Sequence, residues 1–159
     1  LIWEVKHHRG GLVDIEFIAQ YLLLAHAHDH PDLPVTGTRD MLRGLRGRGM
    51  LDPAHLEILL DAHALSQAVQ GTLRLTIEGY FRADDETEVP EALSRLLVAA
   101  TGAEDFAALQ ARLAATADAV QAIFRELIET PAQALAERAG GARDAKGDAT
   151  GGETERNQE

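Results

Sequence analysis

Asp14 and Glu16 stand two residues apart inside an apolar run, in the stretch RGGLVDIEFIAQYLLL at residues 9–24. If residues 12–17 are extended, both carboxylates point to one face, about 6–7 Å apart along the strand. At that distance, with an effective dielectric of about 20, they repel by roughly 2–3 kcal/mol. A hard divalent cation such as Mg²⁺ would turn that repulsion into attraction, because it binds carboxylate oxygens. The competing reading puts the pair at a helix start, where acids suit the positive end of the helix dipole. Pattern alone leaves both readings open.

Lys6 and Arg9 flank the pair Gly10-Gly11 just ahead of the two acids. Basic groups beside a Gly-Gly backbone and an acid pair are what a metal–nucleotide site uses on phosphates, and an ordinary solvated turn has the same composition. The stretch is no Walker loop, since the G-x-x-x-x-G-K-[ST] spacing is absent. His26 and His30 have the i, i+4 spacing of a shared metal, but no Glu sits in an H-E-x-x-H frame. His63, within a largely apolar helical pattern, reads as a core or interface residue. Ser66 and Thr76 have no base near them in sequence, so no hydrolase triad is visible.

The elements that must position these groups follow from periodicity. Residues 2–6, IWEVK, alternate apolar and polar and predict a short strand. HHRGG follows as a turn, and LVDIEF alternates again, predicting a second strand of a pair. From Phe17 the period becomes helical, with Phe17, Tyr21 and Leu24 beside Ile18, Leu22 and Ala25, ending near His30 ahead of Pro31. Thr38 is placed to cap a second helix to about Arg48, with Gly49 beyond its end. Asp52-Pro53 starts a long helix to about Ile77 or Glu78, with Leu59, Ala62, Ser66, Val69, Leu73 and Ile77 on its buried face. Gly79 closes it, and RADDETEV reads as a solvated loop. Pro90 opens a shorter helix that Gly102 stops. The longest pattern runs from about Glu104 to Glu129 through Phe106, Leu109, Leu113, Ala117, Val120, Phe124 and Leu127. The predicted fold class is an all-α antiparallel helical bundle preceded by a short strand pair. Its divisions are the strands at 1–17, the bundle at 17–130 and a disordered tail at 131–159, whose last twenty residues hold no large apolar side chain.

Composition narrows the function classes. The 159 residues contain no cysteine, which excludes disulfides, thiolate metal sites and cysteine nucleophiles. No apolar stretch approaches the roughly 18–20 residues of a membrane span. The formal net charge is −11, concentrated in residues 49–137, where acids outnumber bases fifteen to five. That surface disfavours nucleic acid and leaves the charge-balanced first third as the place for an anion site. The chain opens on LIWEVK without an initiator Met, as expected of a piece of something longer.

At KHHRGGLVDIEFIAQYLLLAHAH the chain resembles the bacterial glutamine synthetase adenylyltransferases, through Lys6, Gly10, Gly11, Leu12, Asp14, Ile15, Glu16, Phe17 and Gln20. The resemblance extends over roughly residues 3–130. It implies a nucleotidyltransferase of the polymerase-β-like kind, of which the strand pair would be the remaining edge. It implies ATP as substrate and Mg²⁺ as cofactor, with Asp14 and Glu16 where a further metal-binding acid lies. Lys6, with Arg9, Gly10 and Gly11, would lie near the nucleotide phosphates. The implied reaction transfers AMP to a tyrosine of glutamine synthetase in a cytoplasmic enzyme regulated by the PII signalling protein. Val13 stands where the first of the family's two catalytic copies usually has Arg, so the segment resembles the second, adenylylating copy. The G-S-x-x-D-x-D motif of such sites is missing, so the chain alone is expected to be inactive. The alternatives are the helical domain of a PII uridylyltransferase-like enzyme and a non-catalytic helical interaction module.

Overall fold

The computed structural model describes residues 3–76 and 89–138. Their helices are α1 (Leu12–His26), α2 (Thr38–Gly47), α3 (Pro53–Thr76), α4 (Glu91–Thr101) and α5 (Phe106–Phe124). The chain divides into two compact units, Leu1–Phe124 and Arg125–Glu159. In the first unit, α3 packs against each of the other four helices, while α1 also meets α2 and α5.

The helix limits follow local rules. The Asp52 carboxylate accepts a hydrogen bond from the Ala54 amide (2.7 Å), so α3 starts with a side-chain cap before Pro53. Asp105 caps α5 in the same way through the Ala108 amide (2.7 Å). Gly102, at φ +65°, ends α4 in the left-handed conformation. Thr38 is the first residue inside α2, and Gly37 stands at the cap position. The expected close of α3 at Gly79 and the 82–89 loop up to residue 88 lie outside the described residues.

The expected strand pair is corrected: among the described residues there is no strand, and the residues expected to form the second strand belong to α1 from Leu12 onward. Residues 3–11 form a strap of turns in which the His8 amide donates to the Glu4 carbonyl (3.0 Å). The alternation that resembled a strand has another cause. Trp3 and Val5 both enter a core cluster with Leu65, Val69, Leu93, Leu97, Leu109 and Leu113, and Trp3 stacks on Phe106 with centroids 5.2 Å apart. Alternate burial therefore arises here without a partner strand. The second alternation fails because Leu12 and Ile15 are both buried, a helical spacing.

Buried faces match the periodicity where the helices are amphipathic. Leu59, Ala62, Ser66 and Val69 of α3 are buried, as are Leu109, Leu113, Ala117, Val120 and Phe124 of α5. In α1 the face is Leu12, Ile15, Ile18, Ala19 and Leu22, so Phe17 and Leu24 of the expected stripes point elsewhere.

The second unit opens with a π-helical segment, Arg125–Glu129, and is helical over 130–138. Residues 131–138 were expected to begin an unordered tail. Their Ala-rich sequence instead favours helix. Pro131 cannot donate within that helix, and a widened turn just before it accommodates the missing bond. The rest of the expected tail, 139–159, lies outside the described residues.

Candidate functional site

The site is a turn locked onto a helix start. Lys6 and Arg9 are exposed on the strap, while Gly10 and Gly11 are buried. Gly10 has φ +79°, and a β-carbon there would lie 2.1 Å from the Ala117 carbonyl oxygen of α5. A β-carbon on Gly11 would lie 2.4 Å from the Val5 carbonyl oxygen. Both glycines are therefore demanded by close backbone packing.

The first amides of α1 are engaged within the turn. Gly11 donates to the His8 carbonyl (2.8 Å), Leu12 to Val5 (2.9 Å) and Val13 to Lys6 (3.1 Å). The Gly10 amide donates to the Asp14 carboxylate (2.6 Å). Asp14 thus reaches back over the helix start like the acid of a capping box. Any phosphate contact at this turn falls to side chains rather than to a Gly-Gly amide cradle. Arg9 reaches Asp14 at 3.9 Å and lies over the Phe124 ring, 4.9 Å from its centroid.

Asp14 and Glu16 do not share a face. Two residues along an α-helix turn by roughly 200°, so the side chains leave α1 on opposite flanks. Asp14 faces the strap. The Glu16 charge acts instead on His63 of α3, as does Arg39 of α2. His63 is 5% exposed, and its Nδ1 is buried without a hydrogen-bond partner. Burial, and then the Arg39 charge, push its pKa below the ordinary histidine value, while Glu16 acts in the opposite sense. The helical pattern reads His63 as a core or interface residue; nothing local in the sequence shows that Glu16 and Arg39 act on it.

The described residues do not assemble a metal site by themselves. No group of three or more His, Asp or Glu side chains converges among them, which holds for His26 and His30 as well. With Asp14 and Glu16 diverging, at most one of these two carboxylates can reach a single Mg²⁺ ion. No helix among the described residues is long and apolar enough to cross a membrane.

A helical bundle entered through a Gly-Gly turn and the D-I-E-F helix start has known counterparts. Residues 1–128 match the model of the GlnD PII-uridylyltransferase family, and the chain belongs to that family. Individual relatives are more specific. A bifunctional glutamine synthetase adenylyltransferase/adenylyl-removing enzyme of Rhodopseudomonas palustris (strain TIE-1) is 41% identical over 127 residues, covering 80% of this chain and 12% of that protein. The enzyme of the same description from Xanthobacter autotrophicus is 39% identical over 132 residues, covering 83% of this chain and 13% of that protein. One from Bradyrhizobium diazoefficiens is 37% identical over 134 residues, covering 84% and 13%. The chain therefore spans about an eighth of the length of the curated relatives it matches. No solved structure matches it. The resemblance read from Lys6 to Gln20 stands.

Proposed function

We propose that these residues are part of a glutamine synthetase adenylyltransferase, contributing the helical domain that follows the second, adenylylating catalytic copy. The whole enzyme transfers AMP from ATP to a tyrosine of glutamine synthetase, under control of the PII signalling protein, in the cytoplasm. One observation carries the reading: 41% identity over 127 residues to an enzyme of that description.

In this proposal Lys6 and Arg9, both exposed beside the Gly10-Gly11 turn, meet nucleotide phosphates through their side chains. The glycines contribute by letting the turn lie flat on α5. Asp14 or Glu16, but not both at one ion, supplies a carboxylate to Mg²⁺ held mainly by residues elsewhere in the enzyme. The 159-residue chain alone is inactive, because it lacks the G-S-x-x-D-x-D motif.

A second reading, a non-catalytic helical interaction module, is favoured by the engagement of Asp14 with the Gly10 amide. That bond is what an acid at a helix start does without any ligand. The experiment that separates the two is AMP transfer to glutamine synthetase by the whole enzyme carrying Asp14→Asn or Glu16→Gln. The enzyme reading expects one variant to lose orders of magnitude in rate while keeping its stability, and the modified residue to be a tyrosine. Near-normal transfer in both variants removes the metal-ligand assignment.

A further inference from the structure

Helix α2 carries charge that its own fold does not account for. Residues 38–48 hold four arginines and one aspartate, in a chain whose formal net charge is −11. Met41, Leu42 and Leu45 form the buried face of α2. Arg39, Arg43 and Arg46 leave the helix on one flank of that face, within about 60° of one another at 100° per residue, as a stripe roughly 10 Å long. Arg39 and Arg43 are exposed and Arg46 is half-buried. Arg48 is held by Asp32, and Arg43 meets Asp40 at 3.6 Å on the edge of the stripe. Among the described residues the Arg39 and Arg46 guanidinium groups have no hydrogen bond or ion pair. Cations three and four residues apart repel and destabilise a helix. Arg39 also lies in the first turn, at the positive end of the helix dipole, and its charge bears on the buried His63. Local structure therefore disfavours the stripe.

We infer that the arginine stripe of α2 is a docking surface for an acidic helix of another protein, one that presents carboxylates at alternating four- and three-residue intervals along one face. The inference stands apart from the catalytic reading and uses none of its residues. Charge and spacing select this occupant. A second helix laid along α2 repeats the same intervals over the same span of roughly 10 Å, so each guanidinium fork meets one carboxylate. Arginine suits such pairing better than lysine, because its planar fork matches a carboxylate and is more weakly hydrated. A nucleic-acid backbone fits worse. Three arginines neutralise only about three phosphates, and α3, which packs against α2, begins the part of the chain where acids outnumber bases fifteen to five. A second copy of this chain fits worse too, because among the described residues no helix carries three carboxylates at these intervals. The contact is small and exposed, so it supplies orientation and encounter rate rather than tight binding.

The probe is a fluorescein-labelled, alanine-based helical peptide with glutamates at alternating four- and three-residue intervals. Its anisotropy is followed against this chain at low salt, where exposed charges are least screened. A peptide of the same composition with its glutamates spread around the helix, and an oligothymidylate of equal charge, are compared with it. The stripe predicts saturable binding at or below about 1 mM that weakens at least about tenfold in Arg39→Gln/Arg43→Gln/Arg46→Gln. Arg74→Gln/Arg95→Gln/Arg138→Gln loses equal charge at exposed positions elsewhere and should bind within about twofold of the parent. Circular dichroism checks that the stripe variant keeps its helices. If it unfolds, Arg43→Gln alone, at an exposed side chain, must weaken the peptide at least about threefold. Absence of saturable binding, equal loss in both triple variants, or equal binding of the spread peptide overturns the docking face. Tighter, stripe-dependent binding of the oligothymidylate assigns the face to nucleic acid and overturns the acidic-helix occupant. A concentration-dependent dimer of the parent chain that the stripe variant abolishes assigns it to a second copy, with the same result.

Discussion

Gly10 lies against Ala117 so closely that a β-carbon at Gly10 would stand 2.1 Å from the Ala117 carbonyl oxygen. This contact joins the turn before α1 to the middle of α5, 107 positions along the chain. It makes the glycine pair a packing device, whatever ligand the turn meets.

Gly10→Ala should therefore destabilise the fold by about 2–4 kcal/mol, since it combines a backbone clash with a positive φ. Gly71→Ala is the matched control. Its added β-carbon meets nothing within 4 Å, and it sits inside α3, so it should stabilise by about 0.5–1 kcal/mol. Urea titrations followed by circular dichroism decide both. A neutral Gly10→Ala would mean that the turn does not pack as described.

The Asp14 bond to the Gly10 amide should be visible in stability. Asp14→Ala removes the acceptor from a part-buried amide and should cost about 1–2 kcal/mol. Asp14→Asn retains an acceptor oxygen and should cost less. Glu16→Ala, on the other flank and with no such bond, serves as comparison. Equal unfolding midpoints for Asp14→Ala and the parent chain would show that the bond does not hold the turn.

His63 should make stability depend on pH. Its folded-state pKa is lowered, first by burial and then by Arg39, with Glu16 opposing. In the pH range between the two values the unfolded chain binds the extra proton, so stability rises with pH. The contribution is complete above the ordinary histidine value of about 6.5 and is lost as pH falls below it. The difference between the unfolding free energies of the parent and His63→Gln, followed from pH 8 to pH 5, isolates this group. A flat difference would contradict the buried neutral imidazole.

Trp3 is the only tryptophan in the chain and is 5% exposed, stacked on Phe106. Its fluorescence should be blue-shifted in the native protein and should move to the red with the same denaturant midpoint as the helical signal. An early, separate red shift would show that the strap undocks before the bundle melts. Trp3→Ala should cost about 3–5 kcal/mol, as expected for a large buried aromatic.

Much of the bundle was legible in the sequence because its signals are local. Asp52-Pro53 and Gly102 mark helix ends through atoms within a few residues of themselves. Leu59, Ala62, Ser66 and Val69 declare a buried face by spacing alone. The grouping of Arg9, Gly10 and Asp14 was also legible, since they lie within six residues. What only the tertiary structure decided depends on distant partners. Alternation at Trp3 and Val5 reads as a strand until their neighbours on α3, α4 and α5 are known. The apolar composition of α1 carries no preferred face, so packing against α2, α3 and α5 chose it. That choice sent Asp14 toward Gly10 and placed Glu16 on the opposite flank, where its charge acts on His63. Extended and helical backbones place residues i and i+2 on the same and nearly opposite faces respectively, and six residues of sequence satisfy either until the rest of the core selects one.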